Sequence, residues 1–179
     1  IRISIDLSLQ EYADTKLADK AGAVLLLDAQ TGEILVMASH PTFDPNQLGD
    51  IGTELNEDPG KPLINRTTQG VYPLGTLVNP FAEMVLGRKA STDQEFQTVL
   101  ETFGFSQVPN IQLPTAKPFS SSGNENFHAS PLQVALAAAA LSNHGTIPAP
   151  QIVTAVNTPT EGWVVLSADG TPIEAVQPA

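Results

Sequence analysis

The chain has 179 residues, a hydrophobic fraction of 41% and no cysteine, and its 8 basic and 19 acidic side chains give a formal net charge of −11. This length fits one domain with a buried core, and the composition is ordinary for a folded protein. The acidity argues against nucleic acid and anionic membrane surfaces as partners. The lack of cysteine excludes disulfides and thiolate metal sites. No run of about 18 apolar residues occurs, so we expect no membrane segment in this chain.

The first predicted elements are a strand, a helix and a hairpin. Residues 1–5 alternate as a strand does, and we expect a membrane anchor upstream because the chain opens inside this segment. Ser8 and Glu11 have the spacing of a capping box that begins a helix. The predicted apolar face of this helix is formed by Leu9, Tyr12, Ala13 and Leu17. Two apolar runs, 23–28 and 33–39, flank Thr31-Gly32 and predict a β-hairpin.

Helices and short strands are predicted for the rest of the chain. Residues 40–71 are rich in Asp, Pro, Gly and Asn, which predicts a long surface excursion. Gly87 and Gly104 are expected to end two helices, over 76–86 and 92–103, the second capped by Thr92. Ser130, Pro131 and Gln133 predict the start of a third, buried helix. Short strands are predicted at 151–156, 162–166 and 172–176.

Four stretches of the sequence resemble the transpeptidase domain of penicillin-binding proteins. ISIDLSLQ (3–10) is similar to the family's TIDLSLQ, and NRTTQGVYPLG (65–75) is similar to its NRATQGLYPPG. GAVLLLDAQTGEILVMASHPTFDPN (22–46) is the most specific stretch, and 121–133 is similar to the family's SIGQGxLxVTPLQ. The resemblance implies an α/β fold of the α+β type, with an antiparallel β-sheet flanked by helices, in a reduced β-lactamase-like form.

The expected domain organisation is a single truncated transpeptidase-like domain over residues 1–179. Its expected parts are an initial strand and helix (1–20), a central hairpin (22–39), a surface excursion (40–71), a helical part (73–145) and C-terminal strands (150–177).

The family's catalytic Ser-x-x-Lys motif falls on Thr76-Leu77-Val78-Asn79, so both of its functional residues are replaced. In that motif the two residues share one helix face, and the amine helps to activate the Ser hydroxyl. Thr76 keeps a hydroxyl but adds a methyl group that crowds attack. Asn79 cannot take up a proton, because its amide is not basic. Loss of a positioned base alone typically lowers a rate by ~10²–10⁴, or roughly 3–5 kcal/mol of barrier.

The family's other two catalytic motifs are not found in the sequence. Only about 25 residues separate Asn79 from Gly104, so the helical section that carries the family's Ser-x-Asn motif is interpreted as deleted. Ser122-Gly123-Asn124 spells this motif, but it lies where the family has its SIGQG loop. The Lys-Thr/Ser-Gly motif occurs nowhere in the chain. Thr76 and Asn79 are therefore interpreted as vestigial catalytic positions. Gly75, Ser122 and Asn124 are candidate binding residues.

The favoured hypothesis is a catalytically impaired transpeptidase-like domain with a binding or structural role in bacterial cell-wall synthesis. It would lie in the extracytoplasmic cell envelope and bind a peptidoglycan stem peptide, a β-lactam or other cell-wall synthesis proteins. The alternative is a weakly active acyl transferase that uses Thr76 as nucleophile, with backbone N–H groups as the oxyanion hole. A third hypothesis is an assembly piece, since the deletion would expose apolar surface and favour dimerisation. No cofactor is expected, and His40, His128 and His144 lack the spacing of metal ligands.

Overall fold

The computed structural model describes residues 1–117, 119, 120 and 127–176. Its strands are β1 (Arg2–Ile3), β2 (Gly22–Leu27), β3 (Ile34–His40), β4 (Tyr72–Pro73), β5 (Phe119–Ser120), β6 (Phe127–Ala129), β7 (Thr146–Ile147), β8 (Val153–Thr158), β9 (Gly162–Val165) and β10 (Ile173–Glu174). Its α-helices are α1 (Leu7–Leu17), α2 (Leu48–Glu57), α3 (Asn79–Leu86), α4 (Asp93–Thr102) and α5 (Pro131–Ser142). Two 3₁₀ segments, Pro45–Gln47 and Gly75–Val78, precede α2 and α3.

The named strands pair antiparallel and form four small groups. These are β1-β8-β9, β2-β3, β4-β6-β5 and β10-β7. A bridge between Glu33 and Gln151 joins the hairpin to the segment before β8, and there Ile34 N–H donates to the Gln151 carbonyl at 2.8 Å. Antiparallel strands flanked by helices confirm the predicted fold class.

The predicted hairpin is confirmed, and Asp28 organises its turn. The carboxylate accepts the N–H groups of Gln30 and Thr31, each at 2.8 Å. These bonds, that of Thr31 foremost, lower the pKa of Asp28. Gly32 has a φ of 77°, and a Cβ there would lie 2.0 Å from the Ala149 carbonyl oxygen, so no other residue fits.

Helix α1 begins two residues earlier than predicted. Asp6, not Ser8, caps it by accepting the Leu9 N–H at 3.0 Å. Ala13 and Leu17 are buried against Val36 and Ala38 of β3. The predicted face was wrong for its two remaining members, because Leu9 and Tyr12 lie outside this contact and are exposed.

The main core lies between the hairpin and helices α3, α4 and α5. Phe81, Phe103, Phe105 and Phe127 are all buried in it, and the Phe81 ring centroid lies 4.9 Å from that of Phe103 and 5.3 Å from that of Phe105. The predicted helix ends are confirmed by Gly87 and Gly104, each with a φ of 68°.

The start of α5 also follows the sequence prediction. Ser130 and Gln133 form a capping box, with Pro131 in the first turn. Gln133 is only 3% exposed, and its amide nitrogen also donates to the carbonyl groups of Phe105 and Gln107 at 2.9 and 2.8 Å. One side chain therefore caps α5 and fixes the segment that follows α4.

The segment predicted as a surface excursion, 40–71, was only partly right. Its middle is exposed, but it contains the ten-residue helix α2. Its end is not surface at all, since Thr67 and Thr68 are 0% and 1% exposed. The polar composition was misleading there because threonine can be buried when the backbone around it is hydrogen-bonded.

Candidate functional site

The chain segment that leads to the candidate site is fixed by backbone hydrogen bonds. The Thr67 carbonyl accepts the Leu132 N–H at 3.0 Å, and the Thr68 carbonyl accepts the Ala116 N–H at 2.9 Å. Arg66 N–H donates to the Ser39 hydroxyl at 2.9 Å. Segment 65–68 is thereby joined to the end of the hairpin and to the start of α5, which gives the site a rigid base.

The short strand β4 and a turn at Gly75 connect segment 65–68 to the helical segment that carries Thr76 and Asn79. β4 pairs with β6, and Leu74 N–H donates to the Phe127 carbonyl at 3.0 Å. Gly75 follows with a φ of 51°, in the left-handed region that favours glycine. The chain then enters the 3₁₀ segment Gly75–Val78, which continues into α3. Gly75 therefore sets the direction of the helical segment that carries Thr76 and Asn79.

The structure places Thr76 and Asn79 on one helical turn, as the spacing predicted. The Asn79 N–H donates to the Thr76 carbonyl. Thr76 is exposed and Asn79 is half-buried, while Val78, Phe81 and Ala82 anchor the other face in the core. Among the residues that the structure describes, neither the Thr76 hydroxyl nor the Asn79 amide has a hydrogen-bond partner. Both groups are free to meet a ligand.

Thr76 and Asn79 line an open cleft of about 610 Å³. One wall is formed by Gly75, Thr76, Val78 and Asn79. The facing wall is formed by the loop before α4 and its first turn, residues Ala90, Ser91, Thr92, Asp93 and Phe96. A cleft of this volume is within the range of small-molecule and peptide sites.

The facing wall is held by an ion pair at the start of α4. The Arg88 guanidinium donates to Glu95 at 3.1 Å, and Glu95 also accepts the Ser91 N–H at 2.9 Å. The bond from Arg88, followed by that from Ser91, lowers the pKa of Glu95 to about 2. The Thr92 hydroxyl accepts the Glu95 N–H at 3.2 Å, which caps α4.

The chemistry available in this cleft is limited. Its lining contains hydroxyl groups, one amide and the Asp93 carboxylate, but neither a lysine nor a histidine. A Thr hydroxyl is a weak nucleophile unless a base takes its proton. The arrangement can hydrogen-bond a polar ligand, but among the lining residues no amine or imidazole stands beside Thr76.

The remaining predicted residues differ in where they lie. Ser122 and Asn124 lie outside the described residues. Gly75 lines the cleft, whereas His40 lies elsewhere and pairs with Asp14, Nε2 to Oδ1, at 3.1 Å. No three His, Asp or Glu side chains of the described ranges gather into a metal site. In those same ranges, no helix has the length and hydropathy needed to cross a bilayer.

The wall from Ala90 to Asp93 was missed by sequence reasoning. The Thr92 cap was recognised, but its position opposite Thr76 depends on how α3 and α4 pack. No local sequence pattern predicts that tertiary contact.

A family model described as the penicillin binding protein transpeptidase domain matches residues 22–83, which include Thr76 and Asn79. The chain is 43% identical over 86 residues to peptidoglycan D,D-transpeptidase MrdA of Escherichia coli K12, a match that covers 45% of this chain and 14% of that protein. It is 42% identical over 96 residues to the probable peptidoglycan D,D-transpeptidase PenA of Neisseria flavescens, covering 52% of this chain and 22% of that protein. The chain thus matches only a small part of these curated relatives.

Solved structures give the same result for the fold. Penicillin-binding protein A from Mycobacterium tuberculosis, as an imipenem acyl-enzyme complex, has a TM-score of 0.83 at 17% identity, covering 98% of this chain and 59% of that one. The D,D-transpeptidase domain of a peptidoglycan glycosyltransferase from Eggerthella lenta has a TM-score of 0.76 at 19% identity, covering 98% of this chain and 62% of that one.

Nearly the whole chain thus superposes on little more than half of each structure, and the family's sequence is recognised from the hairpin to α3. Residues 22–83 therefore match a penicillin-binding protein transpeptidase domain in sequence, and nearly the whole chain has the fold of such a domain in a shortened form.

Proposed function

We propose that this chain is a catalytically impaired transpeptidase-like domain that binds peptidoglycan stem peptides without being acylated by them. The observation that carries the proposal is that Thr76 and Asn79, to which the sequence resemblance assigns the Ser-x-x-Lys positions, line a cleft of about 610 Å³. The cleft keeps the size and polar lining of a binding site. It lacks the amine that would activate a nucleophile.

Two features of the structure support retained binding. The free Thr76 hydroxyl and Asn79 amide can donate to and accept from a peptide backbone. The site is also held from three sides, by segment 65–68, by β6 and by the buried face of α3. A rigid, partly polar cleft loses little entropy when a peptide binds.

The cellular location and the ligand classes that we propose are taken from the relatives. MrdA is named for peptidoglycan D,D-transpeptidase activity, and the M. tuberculosis protein was solved as a β-lactam acyl-enzyme. We propose that this chain acts in the extracytoplasmic cell envelope, with stem peptides and β-lactams as ligand classes and other cell-wall synthesis proteins as partners.

Peptide binding is tested by titrating soluble stem peptides into the labelled chain and following backbone amide shifts. The shifts are expected at Gly75, Thr76, Asn79 and Ser91. Thr76→Arg, which fills the cleft mouth, should weaken binding at least about tenfold. Thr98→Arg is the matched control, since it adds the same group to an exposed face of α4 outside the cleft lining. Equal binding by both variants, or shifts elsewhere, would refute this site.

The alternative function is weak acyl transfer with Thr76 as nucleophile. It is favoured by one observation, the exposed hydroxyl at the start of a helical segment whose backbone N–H groups need no particular side chain to stabilise an oxyanion. This alternative requires covalent labelling by a fluorescent penicillin that Thr76→Ala abolishes. Labelling that survives Thr76→Ala would be nonspecific and would support neither function.

A further inference from the structure

The facing wall of the cleft carries one ionised side chain. Among the residues that line the cleft, only Asp93 has a charge. In the part of the chain that the structure describes, its carboxylate forms neither an ion pair nor a hydrogen bond. A carboxylate that is free at the wall of a cleft is available to a cationic group of a ligand.

An aromatic ring lies beside this carboxylate. Asp93 and Phe96 are three residues apart on α4, so their side chains are neighbours on one helix face, and both residues line the cleft. Phe96 is half-buried and packs against the main core, which holds its ring in place. A carboxylate beside an aromatic ring suits an alkylammonium group, because the carboxylate pairs with the charge while the ring attracts the cation and covers its methylene groups.

The neighbouring charges leave this pair of residues free. The nearby Arg88 guanidinium donates to both carboxylate oxygens of Glu95. Lys89 lies outside the cleft lining and makes no ion pair within the described ranges. The first turn of α4 contains two carboxylates, Asp93 and Glu95, which offset the positive end of the helix dipole. This end of the cleft therefore favours a cation over an anion.

We propose that Asp93 and Phe96 bind the side-chain ammonium group of a diamino acid in the stem peptide, so that the cleft selects peptides in which this amine is free. The inference rests on the proposed function, because it concerns the same ligand in the same cleft. Thr76 and Asn79 then meet the peptide backbone on one wall, while Asp93 and Phe96 meet the amine on the other. Asp93 is thereby a residue that determines specificity.

Two soluble peptides test this selectivity on the whole chain. One is a stem peptide with a free side-chain amine, and the other is the same peptide with that amine acetylated, which removes the charge. The free amine should bind about three- to tenfold more tightly, the range expected for an exposed ion pair with a cation–π contact. This preference should shrink as the salt concentration is raised to about 1 M, because salt screens exposed charges.

A matched pair of variants assigns the preference to one carboxylate. Asp93→Asn keeps the size of the side chain but removes its charge, and it should bind the two peptides about equally. Asp50→Asn is the control, because Asp50 is also an exposed residue in the first turn of a helix, α2, but lies outside the cleft lining. It should keep the wild-type preference. A preference that persists in Asp93→Asn, or that is lost equally in both variants, would overturn the proposal.

The contribution of the ring is tested by Phe96→Leu. Leucine keeps an apolar side chain against the core but removes the π face, so the preference should fall about twofold in a variant that circular dichroism shows to be folded. An unchanged preference would overturn the role assigned to the ring.

The peptide titration separates this inference from the proposed function. Equal binding of the free and acetylated peptides, with amide shifts in the cleft, would refute the ammonium site and leave the cleft as a peptide site. Failure of both peptides to bind, or shifts confined to residues outside the cleft, would refute the proposed function and the ammonium site together. The expected result is tighter binding of the free amine, with amide shifts that include Asp93 and Phe96.

Discussion

Gly75 shows how a single residue determines the geometry of the site. It adopts a φ of 51° between buried Leu74 and exposed Thr76, and an added Cβ would meet no atom within 4 Å. The requirement for glycine is therefore one of backbone conformation and not of space. This backbone requirement explains why Gly75 matches the last glycine of the family's NRATQGLYPPG segment.

Gly75→Ala should lower the free energy of unfolding by about 1–2 kcal/mol, because alanine resists the left-handed region. Gly52→Ala is the control: Gly52 lies within α2 at ordinary φ, with the nearest atom to a built Cβ 3.9 Å away, and should gain about 0.5–1 kcal/mol. Urea denaturation measures both. Equal effects of the two substitutions would contradict the conformational role of Gly75.

Gln133 joins two elements through one buried side chain. It accepts the Ser130 N–H at 3.0 Å and donates to two carbonyl groups of the segment after α4. Gln133→Leu conserves volume but leaves these buried carbonyls unsatisfied, so we expect a loss of about 2–4 kcal/mol in the free energy of unfolding. Gln97→Leu, at an exposed position of α4, should change it by less than about 0.5 kcal/mol. A loss at Gln133 no larger than at Gln97 would show that the network contributes nothing.

The loop that walls the cleft should depend on pH through Glu95. Its pKa is lowered to about 2 from 4.5, so between these values the unfolded chain binds more protons than the folded chain. The contribution is complete above about pH 4.5 and is lost as the pH falls toward 2.

Glu95→Gln and Arg88→Met should both flatten the pH dependence of the melting temperature in this window. Lys89→Met is the matched control, because Lys89 neighbours Arg88 but makes no ion pair in the described part of the chain, and it should keep the wild-type dependence. Identical profiles for all four proteins would mean that the ion pair contributes no stability.

Elements with local signals were predictable from the sequence. Two apolar runs around Thr31-Gly32 predicted the hairpin, and the spacing of Ser130 and Gln133 predicted the start of α5. Both predictions succeeded because turns and helix caps are determined by neighbouring residues. Asp6 was overlooked as the cap of α1 because Ser8 and Glu11 offered a second reading at the same spacing. Helix α2 was missed although Leu48, Ile51 and Leu55 recur at helical spacing, because the surrounding Asp, Pro, Gly and Asn residues were interpreted as loop signals.

Of the two walls of the cleft, only the one that contains Thr76 and Asn79 was predictable from the sequence. Thr76 and Asn79 follow from the resemblance and share a helical turn in the structure. The wall opposite them, from Ala90 to Asp93, depends on the packing of Phe81 against Phe103 and so on contacts distant in sequence. Local sequence patterns do not determine such contacts.

At the scale of the whole molecule, the chain superposes almost completely on little more than half of each solved relative. We propose that residues 1–179 form one truncated domain, in which the core around Phe81, Phe103, Phe105 and Phe127 serves the shortened chain.

The central claim is that this domain does not form an acyl-enzyme. The most direct test is the intact mass of the whole chain after prolonged incubation with a penicillin. An unchanged mass is the predicted result, since neither an amine nor an imidazole lines the cleft beside Thr76. An adduct of one equivalent, mapped to Thr76 by peptide digestion and absent from Thr76→Ala, would contradict the account and show that the hydroxyl is still activated.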